Sequence, residues 1–346
     1  MTIALKTVSE IFEIYTGARR GIIRYLFSFL LLLLASAAGF LFVVLTPHNS
    51  PATAFVVDQG MSAGAVAVRL EEKGAISSSL SFRVLVKLTG TARDIKAGEY
   101  DLSGRCNQWQ VLKDLAGGRV KYHIITVPEG YTVSQIADLL QKSGAGNGAQ
   151  FKAAARMGNP SRPALIYAME GYLFPDTYRI PTGMKESAIV NMMNRRFNEV
   201  TAPLDMARVS AQRGLTPHNL LTIASLVEKE AAVPDDRRVI ASVIYNRLSM
   251  GMRLECDATV QYIMPEHKER VLYKDLKIDS PYNTYRNAGL PPGPIANPGL
   301  ASLKAALQPA KTDYFFYVAG SGGRHVFSRT YQEHLEAISR IRRGVR

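Results

Sequence analysis

The chain has 346 residues, 42 lysines and arginines against 29 aspartates and glutamates, a net charge of +13 and 47% hydrophobic residues. That length supports two ordinary domains with real cores, and that composition excludes a disordered or low-complexity protein. The positive surplus favours anionic partners such as lipid headgroups or an acidic polymer, while the scattered basic residues and the lack of a nucleic-acid motif argue against DNA and RNA.

In chain order, a short head at 1–24 precedes "YLFSFLLLLLASAAGFLFVVL", Tyr25 to Leu45, 21 residues without a charge. At about 1.5 Å per residue in a helix, such a run crosses a bilayer core of roughly 30 Å. A cleaved signal peptide ending at Ala35-Ser36-Ala37 is the competing reading. The long head and the apolar continuation through Val43-Val44 favour an uncleaved transmembrane helix over 25–46. Arg19, Arg20 and Arg24 precede the span, and the segment just after it carries no lysine or arginine. The positive-inside rule then makes 1–24 a cytoplasmic tail and puts the remainder outside, anchored by a single pass.

A Pro/Ser/Thr linker at 47–54 leads into an internal repeat with an offset of 70 residues. "VDQGMSAGAVAVRLEEKG" from Val57 aligns without gaps on "VPEGYTVSQIADLLQKSG" from Val127. Each copy predicts an extended segment, a Gly turn, a hydroxyl-capped helix and a closing glycine; Thr132-Val133-Ser134-Gln135 has capping-box form. Two further helices, "SSLSFRVLVKLTG" and "NQWQVLKDLAGG", lie between the copies, separated by the turn-rich "AGEYDLSG". Modules of this kind bind extended polymers or serve only as spacers.

From Phe151 onward the pattern turns mostly helical. Ile189, Met192, Met193 and Phe197 form a helical stripe read as core. "TPHNLLTIASLVEKEAA" starts a helix with Pro217 in its first turn. "DDRRVIASVIYNRLSMG" and "PGLASLKAALQ" supply two more. Between those two lie some 45 residues rich in Tyr, Asn, Pro and Gly, a length that marks functional loops. "TDYFFYVAG" and "RHVFSRT" read as closing strands joined by a turn at Gly320–Gly323. The fold class is α+β.

Chemistry-bearing groups are few. Cys106 and Cys256 are too far apart in sequence to form a disulfide framework, and no Cys/His cluster has metal-ligand spacing. His218, His325 and His334 read as surface or satisfied histidines. On the wheel of the 217–230 helix, Ile223, Ala224, Val227 and Ala231 form the apolar centre, with Thr222, Ser225 and Lys229 opposite. Glu228 and Glu230 lie about 200° apart, so only one faces a given cleft. The apolar setting of Glu230 beside Ile223 and Leu226 favours it modestly as a general acid; exposed helix-end charges are the plain alternative. Asp257, and Asp176 within "EGYLFPDTYRIP", are the candidate second acids that a hydrolase mechanism needs.

Taken together, "ASLVEKEA", "VIYNRLSMGMRLECDATVQY", "SPYNTYRNAGLPPGPIANPG", "ALQPAKTDYFFYVA" and "EGYLFPDTYRIP" closely resemble the endolytic murein transglycosylase, or YceG-like, family. The resemblance runs from about Phe55 to His334. It implies a membrane anchor, a small LysM-like α+β region at 55–148 and a mixed α+β catalytic domain at 149–346. It further implies cleavage of MurNAc-GlcNAc β-1,4 bonds in nascent peptidoglycan with 1,6-anhydro ends, a reaction that needs one carboxyl and no cofactor. Carried onto this chain, the family's essential glutamate is Glu230, with Glu228 as a positioning group. Asn246, Asp257, Thr259, Tyr262, Tyr282, Asn283, Thr284 and Tyr285 match motif positions and are expected to line the sugar groove. Implied partners are glycan strands and glycan-polymerising synthases at the inner membrane. A hydrolytic muramidase and a non-catalytic wall-binding scaffold are the alternatives.

Overall fold

Seven helix starts among the described residues are set by single side chains. Ser62, Ser78, Asn107, Thr132, Asn147, Thr216 and Thr330 sit in extended backbone, and each accepts a hydrogen bond from the amide three residues on. This satisfies a donor that the first helical turn leaves orphaned. The reciprocal capping box expected at Thr132 and Gln135 is present. The computed structural model describes residues 2–50, 55–58, 60–157, 165–266, 268 and 270–344. Part of the expected 47–54 linker therefore lies outside the described residues.

The chain divides into two units, one ending at Lys121 and one beginning at Tyr122. The first opens with α1 (Thr2–Leu45), followed by β1 (His48–Ser50), β2 (Phe55–Val57), α2 (Ala63–Glu72) and α3 (Ser79–Thr89). It ends with β3 (Gly98–Tyr100), β4 (Gly104–Cys106) and α4 (Gln108–Gly117). Within α1, Arg24–Leu45 has a mean hydropathy of 2.6 and is long and apolar enough to cross a membrane. Its last turns are not free. Val44 is buried and Phe40 packs on the core formed by Phe55, Val66, Leu70, Phe82, Tyr100 and Leu115, and the Asn107 side-chain amide donates to the Leu45 carbonyl.

The second unit begins with β5 (Tyr122–Thr126), α5 (Val133–Lys142), α6 (Gly148–Arg156), β6 (Thr177–Pro181) and α7 (Glu186–Thr201). It continues with α8 (Met206–Gln212), α9 (Pro217–Glu230), α10 (Arg237–Ser249), α11 (Asp257–Ile263) and α12 (Leu300–Leu307). A hairpin of β7 (Phe316–Ala319) and β8 (His325–Ser328) leads into α13 (Tyr331–Arg342). The fold is mixed α+β, and the sheets among the described residues are all two-stranded antiparallel pairs.

The repeat is a full β-α-α-β unit, longer than the sequence match. In the first copy β2 pairs with β3 around α2 and α3; in the second β5 pairs with β6 around α5 and α6. Gly74 and Gly144 close the equivalent helices at φ 67° and 70°, a left-handed conformation that glycine enters without a Cβ clash. Ala75 and Ala145 then donate back to Leu70 and Leu140. The chain accordingly divides at 121/122, ahead of the second copy. The second copy cannot stand apart from the rest of its unit, because its closing strand β6 lies in the "EGYLFPDTYRIP" stretch.

Two other expectations change. The 45-residue stretch before α12 is not continuous loop, because it contains α11 and a 3-10 turn at Asp275–Lys277. The helix α9 has no solvent-facing side from Leu220 to Val227: every residue there is buried, including Thr222 and Ser225. Those hydroxyls are tolerated because Thr222 donates to the His218 carbonyl and Ser225 to the Thr222 carbonyl. Ser225 also accepts from the Ile295 amide.

One buried carboxyl ties this unit together. Glu170 is 1% exposed and accepts from the Val133 amide at 3.0 Å, from Asn297 Nδ2 at 3.2 Å and from the Tyr262 hydroxyl at 3.0 Å. Asn297 in turn exchanges backbone bonds with the 130–131 turn: its amide donates to the Tyr131 carbonyl and its carbonyl accepts from the Gly130 amide. Its side-chain oxygen accepts from the Leu173 amide. Burial pushes the Glu170 carboxyl up to about 8. A carboxyl whose folded pKa is raised contributes stability that is complete below the unfolded value near 4.3 and is lost as pH climbs through about 8. Glu170→Gln keeps the acceptor and cannot ionise. Its melting temperature should match wild type near pH 4.5 and exceed it increasingly toward pH 8, as measured by thermal unfolding across that range.

Candidate active site

A helix buried on every side can offer a functional group only where it emerges. For α9 that is its last turn, and there the two glutamates part as the wheel expected. Glu228 turns into protein: its Oε2 accepts from the Gly299 amide at 2.9 Å and its Oε1 stands 3.9 Å from the Arg237 guanidinium. Only 6% of its side chain is exposed. Gly299 is the N-cap of α12, so the carboxyl meets a helix N-terminus, where backbone amides point outward. A Cβ at this position would lie 1.8 Å from Glu129 Oε1, so a larger residue there requires the Glu129 side chain to move. Burial and the nearby Glu228 charge push the Glu129 carboxyl up.

Glu230 faces the other way, into a cavity of about 290 Å³. Its Oε1 accepts from the Cys256 thiol at 2.7 Å, and the Tyr317 hydroxyl donates to the same carboxyl. Burial raises the Glu230 pKa, and the Asp257 charge adds to the rise. The bonds from Cys256 and Tyr317 and the proximity of His325 oppose it, because each favours the ionised form. Burial next to this carboxyl also pushes the Cys256 thiol and the Tyr317 phenol well up, so both remain protonated donors.

Six segments build the cavity. The α9 end supplies Glu230; Leu254, Glu255 and Asp257 come from the turn into α11; Tyr285 comes from the long loop; Phe316, Tyr317, Tyr331 and His334 come from β7 and α13. Arg247 of α10 joins the wall to the turn. Its Nε donates to the Phe315 carbonyl at 2.6 Å, and its Nη1 donates to the Arg253 and Leu254 carbonyls at 2.9 and 3.0 Å. A planar fork of donors suits that task, whereas a lysine ammonium does not. Glu255 follows with φ 50°, a left-handed turn unusual for a residue with a Cβ, and it aims Cys256 and Asp257 at the cavity.

Of the residues expected to line a sugar groove, Asp257 and Tyr285 meet Glu230 in this cavity, and the Tyr285 hydroxyl donates to Asp257 Oδ1 at 2.6 Å. Glu228 does not join them. Thr259, Asn283 and Thr284 are buried with their polar atoms bonded internally: Thr259 donates to the Cys256 carbonyl, Thr284 Oγ1 accepts from the Cys256 amide, and Asn283 Nδ2 donates to the Leu276 and Ile278 carbonyls. These three hold the loop that carries Cys256 and Tyr285. The rings of Tyr262 and the buried Tyr282 pack at 5.1 Å with a 48° tilt, beside Glu170. Asn246 donates to the Thr312 and Tyr314 carbonyls ahead of β7. Asp176 is outside the cavity, in an ion pair with Arg196 at 2.7 Å.

The sequence did not single out Tyr317, Arg247 or Asp236, and it read His325 and His334 as surface or satisfied histidines. The Asp236 carboxyl accepts from His325 Nδ1 at 2.9 Å and from its amide at 2.7 Å, and the imidazole meets the Tyr317 ring edge-on at 5.4 Å. An acid, an imidazole and a phenol thus stand in series behind Glu230, with Asp236 more than 80 positions before Tyr317 and His325. The one available signal was the aromatic density of "TDYFFYVAG".

A profile of the YceG-like family matches residues 55–340. A Bacillus subtilis protein named endolytic murein transglycosylase is 36% identical over 301 residues, covering 81% of this chain and 82% of that protein. A Streptococcus pneumoniae protein of the same name is 29% identical over 312 residues, and the match spans 80% of this chain but 56% of the longer relative. A crystal structure of a yceG-like protein from Listeria monocytogenes superposes with a TM-score of 0.58 at 34% identity, over 82% of this chain and 98% of that one.

Two expectations arise from this geometry. Tyr317→Phe deletes a donor that favours ionised Glu230, so the Glu230 pKa should rise in a carboxyl titration followed by infrared difference spectroscopy against Glu230→Gln. A pKa that stays or falls removes Tyr317 from the surroundings of Glu230. Glu228→Ala leaves the Gly299 amide and Arg237 without their partner and should destabilise the fold by about 1–3 kcal/mol in denaturant titration.

Proposed function

The chain belongs to the YceG-like family, and from that membership we propose that it is a peptidoglycan lytic transglycosylase acting within glycan strands. The observation that carries the proposal is Glu230: a half-buried carboxyl raised in pKa by burial, held by two donors and open to a cavity. A raised pKa favours the protonated form that a general acid requires.

The reaction needs one such group. Protonated Glu230 gives its proton to the oxygen of the MurNAc-GlcNAc β-1,4 bond as that bond breaks. The carboxylate then takes the proton of the MurNAc C6 hydroxyl while O6 closes on C1, which yields a 1,6-anhydro end and restores the acid without water. Cys256 and Tyr317 hold the carboxyl in one orientation through both transfers. Asp257 and Tyr285 border the reacting centre as polar contacts for the sugar, and Phe316 and Tyr331 offer aromatic faces to pyranose rings.

In this reading the apolar α1 anchors the chain in the inner membrane with residues 1–24 cytoplasmic and the rest periplasmic. The first β-α-α-β copy is a LysM-like module, and strand scission next to the membrane ends the growth of nascent glycan beside polymerising synthases. A hydrolytic muramidase is the second reading, favoured by Asp257 sharing the cavity with Glu230.

Digestion of uncrosslinked glycan strands by the full chain in detergent, followed by mass spectrometry of the ends, separates these readings. Anhydro ends from wild type, retained turnover in Glu228→Gln and a loss of at least about 10²-fold in Glu230→Gln are expected. Reducing ends would establish hydrolysis, and loss confined to the Glu228 variant would overturn the assignment of the acid.

A further inference from the structure

The helix α3 has two opposed apolar faces. Phe82, Leu85 and Val86 are buried in the core of the first unit. On the other side Leu80, Val84 and Leu88 recur at four-residue spacing and are 69%, 40% and 73% exposed. Arg83 and Lys87 are exposed along the same helix. Next to its end, Thr89 shares a cavity of about 370 Å³ with Trp109 and Lys113 of α4, and Trp109 is 46% exposed. Exposed apolar side chains interspersed with cations on a small domain call for a partner.

The position of α1 names that partner. Both α3 and α4 pack against α1, and Phe40 and Val44 belong to the same core. Phe40 lies five residues before the end of the apolar span at Leu45, about 7 Å back along the helix axis. Whatever packs on Phe40 therefore lies near the boundary between headgroups and acyl chains. Three aliphatic residues do not suit sugar recognition, which uses ring faces with hydrogen-bonding groups. They do suit shallow insertion, with Arg83, Lys87 and Lys113 at anionic headgroups.

We propose that the face of α3 carrying Leu80, Val84 and Leu88, together with Trp109, docks on the outer surface of the anionic membrane that α1 spans. This rests on the reading of α1 as an anchor. Docking holds the first unit against the bilayer as a foot rather than leaving it tethered by one helix.

Trp109 is the only tryptophan in the chain, so its emission reports on this surface without a label. The full chain is reconstituted into phosphatidylethanolamine–phosphatidylglycerol vesicles. Phospholipid brominated near the top of its acyl chains should reduce Trp109 emission by about twofold or more, and acrylamide quenching should weaken to match. Leu80→Asp/Leu88→Asp alters exposed positions only. It should keep the wild-type melting temperature, lose the bromolipid effect and regain acrylamide quenching. Emission indifferent to bromolipid, a bromolipid effect that survives the double substitution, or a response to soluble glycan strands in place of lipid would each overturn the proposal. An alkaline carbonate wash tests the anchor separately. A chain that stays in the vesicles with a water-exposed Trp109 refutes docking alone, and a chain that washes out refutes the anchor and docking together.

Discussion

The complete burial of α9 constrains the second unit more than any other feature. Eight consecutive residues, Leu220 to Val227, are shielded from solvent, so neighbouring segments must surround the helix and its polar side chains must bond within the shell. Function is confined to the point where the helix leaves that shell. There the last turn divides its two carboxyls between unlike surroundings, a helix N-terminus for Glu228 and a cavity for Glu230. The C-terminal end of α9 carries the negative pole of its own dipole, which acts in the same direction as burial on a carboxyl at Glu230.

The long stretch before α12 gains its order from this arrangement. Asn283 gathers two carbonyls of the stretch, Thr284 holds the Cys256 amide, and Asn297 fastens its far end to the 130–131 turn. Loops that carry reactive groups lose precision unless other residues immobilise them. Here Thr259, Asn283 and Thr284, polar side chains that sequence motifs made look like ligand contacts, are spent on that immobilisation, while the cavity beside Glu230 combines charged groups of the α11 turn with aromatic residues of β7 and α13.

The legible parts of this chain are those whose signals are local. Caps, closing glycines and the 70-residue repeat all appeared in the sequence because each is a pattern within a few residues. The opposed directions of Glu228 and Glu230 were likewise legible from helical spacing alone. The closing strands β3 and β6 were not, because they pair with partners some 45 to 55 residues away and are only three and five residues long. Thr222 and Ser225 misled the wheel because a hydroxyl that bonds back to its own helix is as easily buried as an alanine. Tyr317, His325 and Asp236 stayed hidden because proximity to Glu230 is created by tertiary packing, and no spacing rule encodes it.

The two β-α-α-β copies look interchangeable in sequence, yet they differ in what surrounds them. The first completes its sheet and core within its own unit, whereas the second lends its turn to Asn297 and its first helical amide to Glu170. Kinship between repeats is therefore no guide to cooperativity. A truncation at 121/122 removes a unit that has its own core, while one after the second copy cuts through a single unit and removes the turn and helix start that bond Asn297 and Glu170.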